Sequence, residues 1–128
     1  MTYREIYKAA LRLLCENDSG NSDYEERAEY LLATLCTELS SADNRYRALC
    51  GEGPQPPFAK VCVDADDTFP LSDVFLPIAE YYLAAMLVID ENEELSERYF
   101  ALYTDRLGEL FATPRAQAKP IRDRYRLL

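Results

Sequence analysis

Apolar residues recur at helical spacing along most of the chain, and polar residues that favour helix starts separate the stretches. The first predicted helix runs from Tyr3 to about Cys15, and Thr2 and Glu5 predict a capping box at its start. The second is predicted to start with another capping box, Ser22 and Glu25, with acidic residues in its first turn, and its pattern continues through Leu49 and stops at Gly51. Ser40–Ser41 is the point at which we expect this helix to bend or break.

Two further helices are predicted in the second half of the chain. Ser72 is the expected cap of a helix over residues 73–89, which is apolar on nearly every face and is therefore expected to be central and buried. Pro77 falls in its first turn, where a missing amide costs least. Asn92 is the expected cap of a helix over residues 93–111. Its predicted buried face comprises Leu95, Tyr99, Leu102, Tyr103, Leu107, Leu110 and Phe111.

The linker over residues 52–72 has a different pattern. Its proline-rich part, residues 53–57, cannot be helical. Lys60–Val63 is a short β-prone run, and we expect it to pair with Thr68–Phe69 across a turn at Asp64–Asp67. The sequence therefore predicts a mainly all-α fold, a bundle of about four helices with one short β-hairpin in the 52–72 linker that lies against the helices.

The charge is distributed unevenly along the chain. The formal net charge is −9, but residues 115–128 sum to +4 and residues 1–114 to −13. We therefore predict a helical domain over residues 1–113 and a basic C-terminal arm over residues 114–128. An acidic body repels a phosphate backbone, which argues against free-standing nucleic-acid binding.

The basic arm is the candidate site for assembly contacts. Its cations are Arg115, Lys119, Arg122, Arg124 and Arg126. One interpretation is a solvated end. Another is an arm that docks on the acidic face of a neighbouring subunit or touches DNA, and a third is a segment packed on its own domain. Only Ile121–Leu127 has a pattern that favours an extended piece.

The residue types that usually carry chemistry are scarce. The chain has no His, so the commonest general base and metal ligand are missing, and its four Cys have no C-x-x-C spacing. The acids of Asp64–Asp67 are interpreted as a turn in preference to a metal site. Those of Asp90–Glu94 fail the spacing of a calcium-binding loop and are interpreted as a helix start. We therefore predict no enzyme, no catalytic residue, no metal and no cofactor.

Tyrosines form two noticeable groups, Tyr81–Tyr82 and the pair Tyr99 and Tyr103. Without basic neighbours they do not form a platform for stacking nucleobases. Tyr is common in cores and at protein interfaces because its ring is apolar and its tip is polar. We expect these side chains to serve the core and a subunit interface.

Targeting segments are not apparent in the sequence. The first residues lack the apolar region of a signal peptide, and the longest apolar run, Tyr81–Ile89, is far below the roughly 18 residues that span a bilayer. We therefore expect a cytoplasmic location with reduced cysteines and no membrane partner.

The layout as a whole is similar to a known family. The segments that carry the likeness are Thr2–Tyr7, Ala10–Leu14, Tyr24–Ala28, Tyr30–Ala33, Phe69–Asp73, Tyr82–Leu87, Asp90–Asn92, Phe100, Tyr103 and Ile121–Tyr125. Together they resemble the small head–tail connector (neck adaptor) proteins of tailed phages and prophages in Firmicute genomes. The likeness covers nearly the full length, and no single motif within it is diagnostic.

This resemblance implies a structural protein without catalytic residues. It implies a homo-oligomeric ring between portal and tail that contacts neighbouring phage structural proteins, with DNA passing through its centre without specific binding. The implied location is the virion or the bacterial host cytoplasm. The alternative is a small cytoplasmic adaptor or regulatory protein that binds one protein partner through the proline-rich loop.

Overall fold

The computed structural model describes residues 1–14 and 22–112, with Ser22 described only in its backbone, and this part of the chain is mainly helical. Its helices are α1 (Tyr3–Leu13), α2 (Ser22–Leu49), α3 (Leu76–Leu87) and α4 (Glu93–Ala112). The predicted all-α class is confirmed. The basic arm and its five cations lie outside the described residues.

Helix α3 is the centre of the fold, and α1, α2 and α4 all pack on it. Because partners surround it, its side chains are buried in nearly every direction, which explains why the sequence shows no polar face. The prediction of a central buried helix is confirmed. The buried residues of α3 are Ile78, Ala79, Tyr82, Leu83, Ala84, Ala85 and Leu87.

The start of α3 differs from the prediction. Residues Asp73–Phe75 form a 3₁₀ turn, and the α-helix begins only at Leu76. Pro77 explains the change, because it has no amide to donate to the Asp73 carbonyl and a regular α-helix cannot begin there without losing that bond. The expected cap was wrong, since the Ser72 hydroxyl caps no amide and donates instead to the Asp43 carboxylate at 2.7 Å.

The end of α3 is also earlier than predicted, at Leu87 instead of residue 89. The Arg27 guanidinium of α2 donates to the carbonyl oxygens of Met86 (3.0 Å) and Leu87 (3.4 Å). A cation at the C-terminus of a helix satisfies carbonyls that have no partner within the helix and opposes the negative end of the helix dipole.

Helix α1 begins as predicted. The Thr2 hydroxyl accepts from the Glu5 amide at 3.3 Å, and the Glu5 carboxylate accepts from the Thr2 amide at 2.8 Å, which confirms the capping box. The helix ends at Leu13, and Leu14 is its C-cap. Cys15, where the predicted helix ended, lies outside the described residues.

Helix α2 is continuous over 28 residues, or about 42 Å. The expected weak point at Ser40–Ser41 causes no break. The Ser40 hydroxyl donates to the Cys36 carbonyl at 2.9 Å and accepts from the Phe58 amide at 3.1 Å. It therefore ties the linker to the helix without interrupting it.

The predicted β-hairpin does not form. No strand is present in the 52–72 linker, and Thr68 makes an isolated antiparallel bridge with Thr2 at the N-terminus. The amides of Tyr3 and Arg4 donate to the carbonyls of Asp67 (3.1 Å) and Ala65 (2.8 Å). The first amides of a helix lack partners within the helix, and these carbonyls supply them. The Phe69 amide donates to the Met1 carbonyl at 2.8 Å, so residues 68–69 pair with the N-terminus and not with residues 60–63.

A row of polar side chains on α2 holds the linker. Asn44 exchanges two hydrogen bonds with the backbone of Gln55, donating to its carbonyl (3.0 Å) and accepting from its amide (2.8 Å). Asp43 binds Ser72 at the far end of the linker. These contacts fix the proline-rich part and the far end of the linker on one helix.

Candidate interaction site

An apolar groove runs between α2 and α4, with α3 beneath it. Tyr82 and Met86 of α3 lie at its base, Phe100 and Tyr103 line it from α4, and Glu38 lines it from α2. Its volume is about 650 Å³. The other lining residues are Ile89, Glu93, Ser96, Glu97 and Ala101.

Contacts on either side of α4 set the position of the groove. The Tyr99 hydroxyl donates to the Leu13 carbonyl at the end of α1, at 2.7 Å. The Ser96 hydroxyl donates to the Ala85 carbonyl at 2.8 Å, and its small side chain lets α4 lie close on α3. Near the C-terminus of α4, the Arg45 guanidinium of α2 lies 4.4 Å from the centre of the Phe111 ring. These contacts hold the walls in place.

The apolar residues of α4 are incompletely covered in the described part of the chain. Ser96 is the one α4 residue in that part that is fully buried. Phe100 is 47% exposed, and Ile89, just beyond α3, is 45% exposed. The prediction that Leu102 belongs to a buried face was wrong, because it is 39% exposed. Helix α4 therefore presents apolar surface to the outside around Phe100 and Leu102.

The rim of the groove is acidic. Glu38, Glu93 and Glu97 contribute carboxylates, and no basic residue is among the lining side chains. Burial, with a smaller contribution from the Glu38 carboxylate, raises the pKa of Tyr82 to about 12, and the same causes raise the pKa of Tyr103. Both phenols stay neutral at physiological pH. The groove thus combines an uncharged, largely apolar base with negative edges, which suits a segment that is both basic and apolar.

The tyrosine groups divide between core and groove. The rings of Tyr81 and Tyr99 stack with centres 6.3 Å apart, and those of Tyr82 and Tyr103 lie 5.4 Å apart. Both pairs join α3 to α4. The predicted role in the core is confirmed for Tyr82, with Tyr99 and Tyr103 packed against it, and the exposed side of Tyr103 adds to the groove.

Sequence reasoning missed most of the groove. Glu38 comes from α2, whereas Met86 and Ile89 come from the end of α3 and the residues directly after it, and no linear pattern connects these two segments. The sequence could have indicated Phe100 as a groove residue, because it is a large apolar residue that lies off the predicted buried face of α4. An apolar side chain outside the core stripe of a helix is a recognisable indication of an interaction surface.

The acidic run at Asp64–Asp67 is a turn. The Asp64 side chain accepts from the Asp66 amide at 3.0 Å, and the Asp67 amide donates to the Asp64 carbonyl, also at 3.0 Å. Asp66 further binds Arg4 at 3.1 Å. The turn interpretation is confirmed.

The second acidic run, at residues 90–94, starts a helix. The Asn92 side chain accepts from the Leu95 amide at 3.0 Å, which confirms it as the cap of α4. Within residues 1–14 and 22–112, no three acidic or Cys side chains are grouped in a way that could hold a metal ion.

The described cysteines differ in accessibility. Cys36 is buried, its sulfur lies 3.8 Å from the Tyr3 hydroxyl, and burial raises the pKa of its thiol to about 11. Cys50 and Cys62 are exposed. A thiol with so high a pKa is a poor nucleophile at neutral pH, so Cys36 acts as a small apolar residue of the core.

The proline-rich loop is exposed while its backbone is fixed. Pro54, Pro56 and Pro57 lie at the surface, and Gln55 between them is bound to Asn44. This arrangement presents a preformed, extended surface.

No protein-family model matches this chain, and no curated protein or solved structure does so either. None of the described helices is both long enough and apolar enough to cross a membrane.

Proposed function

We propose that the protein is a non-catalytic assembly subunit, a head–tail connector-like component of a phage or prophage particle. Its copies associate in a ring between portal and tail and contact neighbouring structural proteins. Its place of action is the virion or the bacterial host cytoplasm. The observation that carries the proposal is the uncovered apolar surface of α4 beside the acidic groove.

Exposed apolar surface of this kind supports association. Single exposed apolar side chains are common on any protein, but the exposed Ile89 and Phe100 line the same groove. Aromatic residues and Met, both present in the groove, are enriched in protein interfaces. Burying the exposed parts of these side chains against another subunit would contribute favourably at about 25 cal/mol per Å².

The charge supports a ring that DNA passes without binding. Residues 1–114 carry a net charge of −13, and a wall of that sign repels the phosphate backbone. The same charge makes close association of identical bodies unfavourable unless a counter-charge lies between them. The basic arm carries the opposite sign, which supports its role in assembly through Arg115, Lys119, Arg122, Arg124 and Arg126.

A second candidate function, a small adaptor with one protein partner, is favoured by the proline-rich loop. The loop is exposed and held in place by Asn44, so binding would cost it little conformational entropy. Proline-rich extended segments are recognised by aromatic grooves on partner proteins.

Sedimentation velocity of the full chain over a range of concentrations tests the assembly function. We expect a concentration-dependent oligomer, seen as rings by negative-stain microscopy. Phe100→Glu should weaken this oligomer, whereas Tyr30→Glu, at a residue 50% exposed on α2, should leave it unchanged. A wild-type chain that stays monomeric at every concentration would overturn the assembly function.

A separate variant tests the adaptor function. Replacing Pro56 and Pro57 together by Ala should leave assembly unchanged if the α4 surface drives it. Loss of assembly in that variant, with Phe100→Glu still associating, would favour the loop as the binding surface.

A further inference from the structure

We propose that the groove between α2 and α4 receives the basic C-terminal arm, residues 114–128, of a second copy of this chain. This inference rests on the proposed assembly function and names the contact that builds the ring. It assigns the acidic rim and the apolar base of the groove to one occupant.

Charge complementarity is the first support. The rim carries Glu38 on one wall and Glu93 and Glu97 on the other, with no cation among the lining residues. The arm has a net charge of +4, and residues 1–114 have a net charge of −13. The arm is thus the one strongly basic segment of the sequence, and the acidic edges are placed to bind it.

The alternation of residue types in the arm matches the groove, which has an apolar base and an acidic rim. From Ile121 to Leu127, arginines occupy residues 122, 124 and 126. The alternate positions hold Ile121, Tyr125 and Leu127, with one acidic residue, Asp123, among them. In an extended chain these two sets point to opposite sides. One side would lie on the apolar base at Tyr82 and Met86. The arginines would then lie at the rim, where their long side chains reach carboxylates.

The lengths also agree. The α4 wall of the groove, from Glu93 to Tyr103, is about 15 Å long. Five extended residues cover about 16 Å, so Ile121–Tyr125 is sufficient. Sixteen residues follow Ala112 and reach up to about 50 Å, which leaves ample chain to cross to a neighbouring subunit.

The contact joins two different surfaces, an arm on one subunit and a groove on the next. Such a heterologous contact repeats around a rotation axis and closes into a ring when the rotation permits. An arm seated in its own groove would cover the exposed Phe100 and oppose association. The proposed assembly function therefore favours the arm of a neighbour over the chain's own arm.

Charge reversal on full-length chains tests the contact. The groove variant carries Glu38→Lys and Glu97→Lys, and the arm variant carries Arg122→Glu and Arg126→Glu. The control, Glu94→Lys with Asp105→Lys, makes the same change in charge as the groove variant, at exposed α4 positions outside the groove lining. Circular dichroism melting establishes that each variant folds, and sedimentation velocity measures its association.

We expect each single-surface variant to associate more than about tenfold more weakly than wild type, and the control to associate like wild type. Combining both reversals in one chain should restore association. Mixing the groove variant with the arm variant should restore it too, because each arm then finds a groove of opposite charge on the other chain.

Three outcomes would overturn the inference. Single-surface variants that associate as well as wild type, or better, would show that the arm does not use a neighbour's groove, while leaving assembly itself intact. Combined reversal or mixing that fails to restore association would show that these charges do not face each other. A monomeric wild-type chain would overturn the assembly function and this inference together.

Discussion

The carboxylate of Asp43 accepts two hydrogen bonds from Ser72, one from its backbone amide at 2.9 Å and one from its hydroxyl at 2.7 Å. The other carboxylate oxygen accepts from the Arg47 guanidinium at 3.1 Å. Asp43 is 1% exposed. A buried carboxylate on α2 therefore fixes the segment that enters the central helix.

Replacing Asp43 by Ala should destabilise the protein by about 2–4 kcal/mol, because it leaves two Ser72 donors and one guanidinium without their acceptor. Urea denaturation measures the loss. The control is Asp23→Ala, which removes a weak pair with Arg27 (3.8 Å) on a side chain that is 73% exposed. That substitution should change the free energy of unfolding by no more than about 0.5 kcal/mol. Equal effects of the two substitutions would contradict the role of Asp43.

Ala84→Asp should leave the protein unfolded or insoluble. Ala84 is fully buried in α3, and an unpaired carboxylate there costs several kcal/mol against a typical total stability of about 5–15 kcal/mol. Soluble yield and circular dichroism melting measure the effect. Ala59→Asp, in the exposed linker, is the control and should melt like wild type. A soluble Ala84 variant with a wild-type melting temperature would show that α3 is not the core.

Glu80→Gln should raise the melting temperature at pH 7. Burial raises the pKa of the Glu80 carboxyl above its ordinary value of 4.5, with Arg12 partly opposing the rise. The folded state therefore prefers the neutral acid, and stability is lost as the pH rises through the folded-state pKa. The advantage of Gln should shrink below about pH 4.5, where the wild-type carboxyl is also protonated. Glu94→Gln, at an exposed site, should show no such pH dependence.

Gly108→Ala should stabilise the protein by about 0.5–1 kcal/mol, since Ala favours a helix interior and an added Cβ meets nothing within 4 Å. Gly51→Ala should destabilise the protein, because Gly51 follows the end of α2 with a φ of +80°, a backbone conformation that favours glycine over alanine. Chemical denaturation of both variants provides the comparison. Association should be unchanged by Gly108→Ala, which lies outside the groove lining. A weaker oligomer would place a subunit contact there.

Thiol labelling should separate the described cysteines. Cys50 and Cys62 are exposed and should react with a small disulfide reagent in the native state, whereas Cys36 should react only after unfolding. Mass spectrometry of labelled peptides identifies each site. Rapid native labelling of Cys36 would contradict its burial, and Cys62→Ser provides a check on the assignment.

The helices were predictable because their causes are local. The Thr2–Glu5 capping box, the Asn92 cap and the unbroken apolar pattern of α3 each lie within a few residues of sequence. The hairpin failed for the opposite reason. Thr68 binds Thr2, 66 positions away in sequence, and no local pattern indicates that the start of α1 competes for the same backbone.

The groove was beyond prediction for a similar reason. Its residues belong to three helices, and its shape depends on where Tyr99 and Arg45 hold α4. The sequence did indicate tyrosines that serve the core and a subunit interface. It did not indicate which side of α4 remains open.

The central position of α3 also determines the order in which the chain can fold. Helices α1 and α2 are consecutive in sequence, yet each makes most of its helix contacts with α3. The first amides of α1 bind carbonyls of residues 65 and 67. A chain emerging from the ribosome therefore exposes the apolar faces of α1 and α2 until residue 87 has been made. Folding is consequently slower than in a bundle in which each helix packs on the next one in sequence. Nascent chains that are synthesised in many copies can aggregate while these apolar faces are exposed.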